Sequence, residues 1–384
     1  MLVAIDAPFA YISPVSNALS AELLHTRMSD TFRDGKRILL VRTDRLGDVV
    51  LTLPMLSALR KHFPDAYLAI LLRRYTSPIV ERNPHLDAVI PYDEDDRLIP
   101  VNEMVRRIKE YRFDFAIVAR PMLRVAWITF RAAIPLRVGT GFRYYSILFN
   151  KRVFEHRKDA KRHELDYNLN LLKSIGCSVE DPPDFSLQIP PDNEAKIESL
   201  FRQFSIDHDK EVVVIHPGTG GSAREWPADF FGKLANRLQE ERGAQVILTG
   251  AKGEERKVAE VLLGSKGKAI PLVGRLSLME LGAVIKRANL FISNSTGPLH
   301  MAAALGTPVV SLFPQLVPMS AARWGPYTSK KRVLVPDKPI NCQDCLHKAM
   351  TSCACMASIS VDEVYRAACS LLVEYGTSQL VSHG

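Results

Sequence analysis

Hydrophobic positions along the chain alternate between two spacings from about residue 36 onwards. Residues 36–42 and 67–72 contain short runs of Leu, Ile and Val, as expected of buried strands. Residues 49–63 instead place apolar side chains three or four positions apart, which predicts a helix. By the same criteria, strands are predicted at 88–90, 113–118, 211–216, 245–250, 269–272, 288–292 and 309–313, and helices at 164–175, 228–242, 277–287 and from residue 254. This alternation predicts parallel sheets covered by helices on both faces.

Two proline pairs divide this alternation into halves. Pro182-Pro183 and Pro190-Pro191 interrupt the pattern and are typical of a linker. A chain of 384 residues is also long for a single core. We therefore predict an N-terminal extension of unassigned role at 1–35, a first domain at 36–190 and a second at 191–384. Ligand loops at the strand ends of two such domains would face a shared cleft.

A polar turn followed by a short helix is the most informative stretch of the second half. Asn294, Ser295 and Thr296 follow the predicted strand, helix formers begin after Gly297, and Gly306 stands where a helix would stop. Backbone N–H groups at such a helix start are suited to binding phosphate, and His300 would lie one turn further on. The alternative is that the polar residues simply cap the helix.

A glycine-rich loop follows the predicted strand at 211–216. Gly218, Thr219 and Gly220 would let the backbone approach a pyrophosphate closely, and Arg224 would add a fixed cation. With Thr296, Gly297 and His300, this loop could neutralise a diphosphate leaving group. An ordinary tight turn explains the glycines about as well, because neither a Walker loop nor a dinucleotide fingerprint is present.

One carboxylate in the first half is a candidate base. Arg45-Leu46-Gly47-Asp48 places Asp48 at the turn into the first predicted helix. It would either cap that helix or act as general base on an acceptor hydroxyl across the cleft. Residues alone leave both options open.

Composition narrows the possible partners. A formal net charge of +8 favours acidic ones: phosphorylated small molecules, an anionic membrane surface or nucleic acid. Nucleic acid ranks last, because no RNA-binding signature or zinc finger accompanies the scattered basic residues. No apolar run is long enough to span a bilayer, no secretory signal is evident and no amphipathic anchor is obvious. We expect a cytoplasmic protein with at most peripheral contact at the inner face of the membrane.

Six cysteines include a C-terminal group. Cys342, Cys345, Cys353 and Cys355 surround His347, and the first pair has the spacing of zinc ligands. The Cys-x-Cys pair is unusual for a zinc ribbon, and disulfides are disfavoured without a secretory signal. We expect a packed, reduced loop, with no bound metal and no cofactor.

Three ordered motifs resemble those of the ADP-heptose:lipopolysaccharide heptosyltransferases. Residues 42–54 resemble the N-terminal motif of that family, whereas residues 216–227 and 294–300 look like its donor-binding motifs. The C-terminal cysteines are similar to segments of many members. The resemblance runs from about residue 36 to about residue 375.

The resemblance implies a GT-B architecture, with two Rossmann-like domains facing a central cleft. It implies an inverting transfer in which Asp48 deprotonates the acceptor. The implied donor contacts are Gly218, Thr219, Gly220, Arg224, Asn294, Ser295, Thr296, Gly297 and His300. Acceptor contacts, expected from Arg45, Gly47, Arg120 and Arg143, would lie in first-domain loops, including a loop predicted at 137–145. The implied partners are an ADP-heptose donor, a lipid-linked oligosaccharide acceptor and, transiently, the inner-membrane surface, with no nucleic acid.

Two positions depart from the family pattern. Ser295 stands where several members carry an aspartate. Lys252 stands near the position at which some members carry a ribose-contacting glutamate, and Glu254 or Glu255 would take the role of that glutamate here. Two other functions remain open: a nucleotide-sugar 2-epimerase of similar fold, and a non-enzymatic basic protein that binds lipid or other anions.

Overall fold

The computed structural model describes residues 35–179, 182–207, 209–337 and 354–376. The strands are β1 (Arg37–Val41), β2 (Tyr67–Leu72), β3 (Ala88–Pro91), β4 (Asp93–Glu94), β5 (Arg97–Leu98), β6 (Phe115–Val118), β7 (Leu136–Thr140), β8 (Lys151–Val153), β9 (Val212–His216), β10 (Gln245–Leu248), β11 (Ile270–Pro271), β12 (Leu290–Asn294), β13 (Val309–Leu312) and β14 (Lys331–Leu334). The α-helices are α1 (Leu46–Val50), α2 (Leu53–His62), α3 (Val101–Glu110), α4 (Leu123–Arg131), α5 (Glu164–Lys173), α6 (Pro191–Gln203), α7 (Ala228–Arg242), α8 (Glu255–Gly264), α9 (Leu278–Lys286), α10 (Gly297–Ala304), α11 (Ala321–Trp324) and α12 (Val361–Tyr375). Short 3₁₀ helices lie at Arg74–Ile79, Tyr144–Leu148, Arg157–Asp159, Val317–Met319 and Met356–Ser358.

Twelve of these strands form two six-stranded parallel sheets of the same topology. The first has the order β3-β2-β1-β6-β7-β8 and the second β11-β10-β9-β12-β13-β14, while β4 and β5 form a small antiparallel pair. In each sheet the strand order reverses direction beside the strand that comes first in sequence, β1 or β9. This is the Rossmann arrangement. The α/β class and the two Rossmann-like halves predicted from the sequence are confirmed. The boundaries at 190 and 191, and the division of acceptor and donor between the halves, stay predictions.

The reversal points decide where ligands can bind. Neighbouring strands whose helices pack on opposite faces leave a crevice at their carboxyl ends. In the first sheet this crevice lies where β1 and β6 end, beside Asp44 and Arg120. In the second it lies where β9 and β12 end, beside Gly218 and Ser295. The candidate motifs therefore sit at the two crevices.

The central strands are buried, and the two halves share apolar contacts. Every residue of β9 and β12 is buried. One continuous hydrophobic cluster contains Leu56 of α2 together with Met279 and Leu299 of the second half. A separate cluster packs α12 against the second sheet and includes Cys355. Cys342, Cys345, Cys353 and His347 lie outside the described residues, as does nearly all of the extension predicted at 1–35.

Three predicted elements differ from those observed. The helix predicted at 49–63 is two helices, because Pro54 lacks the N–H that a continuous helix would need and stands instead in the first turn of α2. The loop predicted at 137–145 begins as strand β7, whose alternating Leu136, Val138 and Thr140 give the strand period. The strand predicted at 288–292 is shifted to Leu290–Asn294, so that Asn294 belongs to the sheet and not to the turn.

Helices α7 and α8 touch backbone to backbone, which makes Gly232 a test of this packing. A Cβ at Gly232 would lie 2.7 Å from the Cα of Gly264. We expect Gly232→Ala to lower the free energy of unfolding by about 1–3 kcal/mol through overpacking, although alanine is the better helix former. Lys233→Ala on the exposed side of α7 should change it by less than about 0.5 kcal/mol. Equal unfolding curves for the wild type and Gly232→Ala, in urea or on heating, would contradict this packing.

Candidate active site

A large cleft opens between the two halves, with a volume of about 770 Å³. Its walls come from the start of α1, the glycine-rich loop after β9, the turn into α10 and the start of α9. The lining residues include Arg45, Leu46, Gly47, Asp48, Tyr75, His216, Thr219, Gly220, Gly221, Glu254, Leu276, Leu278, Leu281, Ser295, Thr296, Gly297, His300 and Trp324. Of the described residues that line it, Arg45 alone carries a permanent positive charge.

Asp48 faces this cleft while one of its oxygens is held from behind by Arg42. The Arg42 guanidinium is 1% exposed and donates to Oδ1 of Asp48. It also donates to the Ala119 carbonyl (3.2 Å) and to Oδ1 of Asn168 (3.1 Å). None of the described residues donates a hydrogen bond to Oδ2 of Asp48. A carboxylate fixed through one oxygen and open at the other has the geometry that a general base needs.

The Arg42 side chain is itself set among carboxylates. Its Nε lies 2.9 Å from Oδ1 of Asp44, and its Nη2 lies 3.4 Å from Oε1 of Glu164. Burial alone would lower the pKa of Arg42, but Asp44, Asp48 and Glu164 together raise it, so the guanidinium stays charged. Burial raises the pKa of Asp44 to about 7. The charge of Arg42 lowers this pKa, whereas repulsion from Asp48 raises it further. Asp44 does not line the cleft.

Glu164 extends this network to the other half of the chain. Its carboxylate is 2% exposed and pairs with Arg157 (2.6 Å) and with Arg323 of α11 in the second half (2.8 and 3.0 Å). Burial by itself would raise the pKa of Glu164, but Arg157, Arg42 and Arg323 lower it. Next to it, Nε2 of His163 lies 2.8 Å from the Gly325 carbonyl. These contacts join α5 to the segment that contains α11.

The opposite wall begins at the turn into α10. Thr296 occupies the N-cap position without a side-chain capping bond, and Gly306 has the left-handed φ of +77° predicted for the residue that ends this helix. His300 is buried, and among the described residues its Nδ1 has no hydrogen-bond partner. Burial lowers the pKa of His300 to about 3, with a further contribution from His163. The ring is therefore neutral near pH 7 and would bind an anion by hydrogen bonding.

Two glycines bring the walls together at this point. A Cβ on Gly47 would lie 2.6 Å from Cδ2 of His300, and one on Gly297 would lie 2.9 Å from Leu46. No larger residue fits this contact without a shift of its neighbours. Asp48, the residue after Gly47, is thereby placed close to the start of α10.

The glycine-rich loop is shaped by two carboxylates. Glu225 accepts from the backbone N–H (3.1 Å) and the hydroxyl (2.8 Å) of Thr219. Glu254 accepts from the Gly220 N–H at 3.2 Å, and its carboxylate occupies the space that a side chain at Gly218 would need. Burial lowers the pKa of the neighbouring His216 to about 4, although Glu254 opposes it. Glu254 thus lines the cleft where the sequence suggested a replacement for the family's ribose contact.

Several predicted site residues do not line the cleft. Asn294 instead bridges two backbone groups, because its side chain accepts from the Trp226 N–H (2.9 Å) and donates to the Pro217 carbonyl (2.8 Å). Arg224 is buried. Arg120 is held by the Thr43 carbonyl, and Arg143 is exposed beyond the cleft. The remaining residues predicted to bind the donor, other than Gly218, line the cleft, as do Arg45 and Gly47.

Sequence reasoning missed other residues of the site. Glu164 and Arg323 are 159 residues apart, and neither stands in a recognisable motif. Leu276, Leu278 and Leu281 form an apolar wall, but in the sequence they look like ordinary helix positions. No group of three or more potential metal ligands occurs within the described residues, which exclude most of the cysteine group. None of the described helices is long and apolar enough to cross a bilayer.

Comparison with known proteins finds consistent relatives. The family model described as "Glycosyltransferase family 9 (heptosyltransferase)" matches residues 101–354. Lipopolysaccharide heptosyltransferase 3 of Escherichia coli (strain K12) is 31% identical over 281 residues, which are 70% of this chain and 79% of that protein. The matched family segment does not include Asp48.

Solved structures show the same fold. A family 9 glycosyl transferase from Veillonella parvula superposes with a TM-score of 0.77, at 24% identity, over 88% of this chain and 97% of that one. The Escherichia coli ADP-heptose lipopolysaccharide heptosyltransferase II does so with a TM-score of 0.72, at 21% identity, over 88% and 99%. The GT-B architecture expected from the sequence is thereby confirmed.

The charge network around Glu164 gives a stability prediction. We expect Glu164→Gln to lower the free energy of unfolding by about 3–5 kcal/mol near pH 7, because the buried Arg42 and the partly buried Arg157 and Arg323 lose a shared counter-ion. The pKa of Glu164 is lowered by folding, so its contribution is present above its ordinary pKa of 4.5 and is lost as the pH falls through the folded value. The difference between wild type and variant should therefore narrow below about pH 4.5.

Urea unfolding at a series of pH values from about pH 3 to pH 8 measures this difference. Glu110→Gln removes a carboxylate from an exposed pair with Arg106 and should cost less than about 1 kcal/mol. If the two variants were equally stable at pH 7, Glu164 would not have the role described.

Proposed function

Since this chain belongs to glycosyltransferase family 9, the heptosyltransferase family, we propose that it moves a heptose or a related sugar from an ADP-sugar donor to a lipopolysaccharide core acceptor. One observation carries the proposal: Asp48 and the start of α10 face each other across one cleft, held together by the contact of Gly47 with His300. Family membership makes the chain a glycosyltransferase; the donor, the acceptor and the base are the proposal.

The donor is assigned to the second half of the cleft. The amide at Gly297, the side chain of His300 and the glycine-rich loop at Thr219 would surround the diphosphate. The apolar wall formed by Leu276, Leu278 and Leu281 offers a surface for a flat base. A volume of about 770 Å³ suits a nucleotide-sugar, since small-molecule sites span about 300–1,000 Å³. The name of one relative, an ADP-heptose transferase, favours ADP.

The reaction follows from the position of Asp48. Its Oδ2 would take the proton of an acceptor hydroxyl as that oxygen attacks the anomeric carbon of the donor. The bond from that carbon to the diphosphate breaks at the same time, its electron pair leaves with ADP, and the configuration inverts. Arg42 would keep the carboxylate aimed at the hydroxyl, and the helix start would stabilise the charge that develops on the departing diphosphate.

The acceptor is assigned to the first half. Arg45 and Gly47 line the cleft beside Asp48, and Arg120 lies within 4.0 Å of Asp44 at the end of β6. Cations at this edge suit the phosphorylated sugars of a lipid-linked acceptor. Such an acceptor would place the enzyme in the cytoplasm, in transient contact with the inner face of the membrane. We propose no role for nucleic acid.

Replacing the proposed base separates chemistry from binding. We expect Asp48→Asn to lower kcat about 10²- to 10⁴-fold, because the acceptor keeps its proton, while ADP affinity measured by calorimetry changes less than about threefold. Asp44→Asn is the matched control: it alters a neighbouring carboxylate that also pairs with Arg42 but does not face the cleft. Its effect on kcat should be much smaller.

The transfer assay follows sugar incorporation into a deacylated lipopolysaccharide core. Wild-type rates in Asp48→Asn, or an equal loss in Asp44→Asn, would refute the assignment of the base. Conversion of the donor to its epimer without acceptor would instead identify a 2-epimerase. Calorimetry with ADP-, UDP- and GDP-sugars tests the donor, and failure to bind any of them would overturn the transferase proposal for this cleft.

A further inference from the structure

One segment of the first half concentrates nearly all of the excess positive charge. Residues 120–154 contain seven Arg and Lys residues and no Asp or Glu, whereas the whole chain has a net charge of +8. The seven are Arg120, Arg124, Arg131, Arg137, Arg143, Lys151 and Arg152. Among the described residues, Asp44 is the only one whose carboxylate lies within 4.0 Å of any of these cations, opposite Arg120. Intramolecular ion pairs therefore leave this positive charge largely uncompensated.

The same segment exposes an unusual amount of apolar surface. It supplies seven of the thirteen large hydrophobic residues that are exposed within the described chain: Leu123, Trp127, Phe130, Phe142, Tyr144, Ile147 and Phe154. Tyr144 is 79% exposed, Ile147 75% and Phe154 64%. Exposed apolar residues scattered singly need no explanation, but a concentration of them indicates a binding surface. Of the seven basic residues, Arg131, Arg143 and Arg152 are exposed and the other four are half-buried. We call these seven apolar and seven basic residues the basic–aromatic face.

Contacts link the two parts of this face. Trp127 and Phe130 of α4 stack with ring centroids 5.8 Å apart, and the Arg137 guanidinium lies 5.5 Å from the Phe130 centroid. Nε of Arg137 donates to the Leu148 carbonyl at 2.8 Å, which joins α4 to the 3₁₀ helix Tyr144–Leu148. The other side of α4 is buried through Val125, Ala126, Ile128 and Thr129. Helix α4 is thus amphipathic, a feature not apparent from the sequence.

The position of the face relates it to the cleft. Helix α4 follows the carboxyl end of β6, and the 142–148 segment follows the carboxyl end of β7. These ends lie at the same edge of the first sheet as Asp44, because the strands run parallel. The part of the face at this edge, which includes Leu123 and Phe142, therefore lies on the side of the first half to which the acceptor is assigned.

We propose that the basic–aromatic face docks the protein on the anionic surface of a phospholipid bilayer. Arginine and lysine would pair with lipid phosphates at such a surface. Aromatic and aliphatic side chains would enter the boundary between headgroups and acyl chains, where amphipathic rings are favoured. The docking is inferred from the charge and exposure of the face alone. Its purpose rests on the proposed function: the protein would present a lipid-linked acceptor to the cleft.

Vesicle binding by the full chain tests this surface. We expect co-sedimentation with vesicles of phosphatidylcholine containing 30% phosphatidylglycerol, at least tenfold weaker binding to pure phosphatidylcholine, and weakening in 0.5 M salt. The double variant Ile147→Glu/Arg152→Glu should lose at least tenfold in affinity for the anionic vesicles. Leu263→Glu/Arg256→Glu makes the same chemical change at two highly exposed residues of the second half and should bind like the wild type.

Two further readouts keep this result separate from the proposed function. Transfer to a deacylated, water-soluble acceptor should stay within twofold of wild type in Ile147→Glu/Arg152→Glu, and circular dichroism should show that it is folded. Vesicle binding without any sugar transfer would sustain the docking surface and refute the transferase. Absence of vesicle binding by the wild type, or equal loss in both double variants, would overturn the docking surface. So would an oligomer that dissociates in Ile147→Glu/Arg152→Glu while vesicle binding persists, since the face would then bind a second copy.

Discussion

The buried guanidinium of Arg42 is the contact on which the cleft depends. It lies just beyond the end of β1 and reaches Asp48 on α1, the Ala119 carbonyl beyond β6 and Asn168 on α5. Through Glu164 it also connects to Arg323 of the second half. A buried charge is tolerated only when its partners are in place, so Arg42 fixes the positions of these elements as well as the direction of Asp48.

Close backbone approach completes what this charge network begins. Arg42 fixes the candidate base from the first half, while Gly47 and Gly297 let the two halves meet beside it. Neutral His300 and the start of α10 then face Asp48 from the other wall. In the proposed reaction this arrangement would separate two tasks: one half would supply a carboxylate for a proton, and the other would supply hydrogen bonds for a leaving anion.

Much of the fold was predictable from the sequence, but the supporting contacts of the site were not. Buried parallel strands leave continuous apolar runs, which is a short-range signal, and the ligand loops follow directly from those strands. The partners of Arg42 at Ala119, Glu164 and Asn168 lie 77 to 126 residues away and carry no local signal. The motif predicts a donor contact for Asn294, but its amide instead bonds the backbone N–H of Trp226 and the carbonyl of Pro217.

The central claim is that Arg42 holds Asp48 opposite the diphosphate of a sugar donor. A crystal structure with a non-transferable ADP-sugar tests this claim most directly. We expect diphosphate oxygens about 3 Å from the Gly297 amide and from His300, the anomeric carbon on the side of Asp48, and an intact contact between Arg42 and Asp48. A donor bound away from the start of α10, or an Asp48 carboxylate turned out of the cleft, would contradict it.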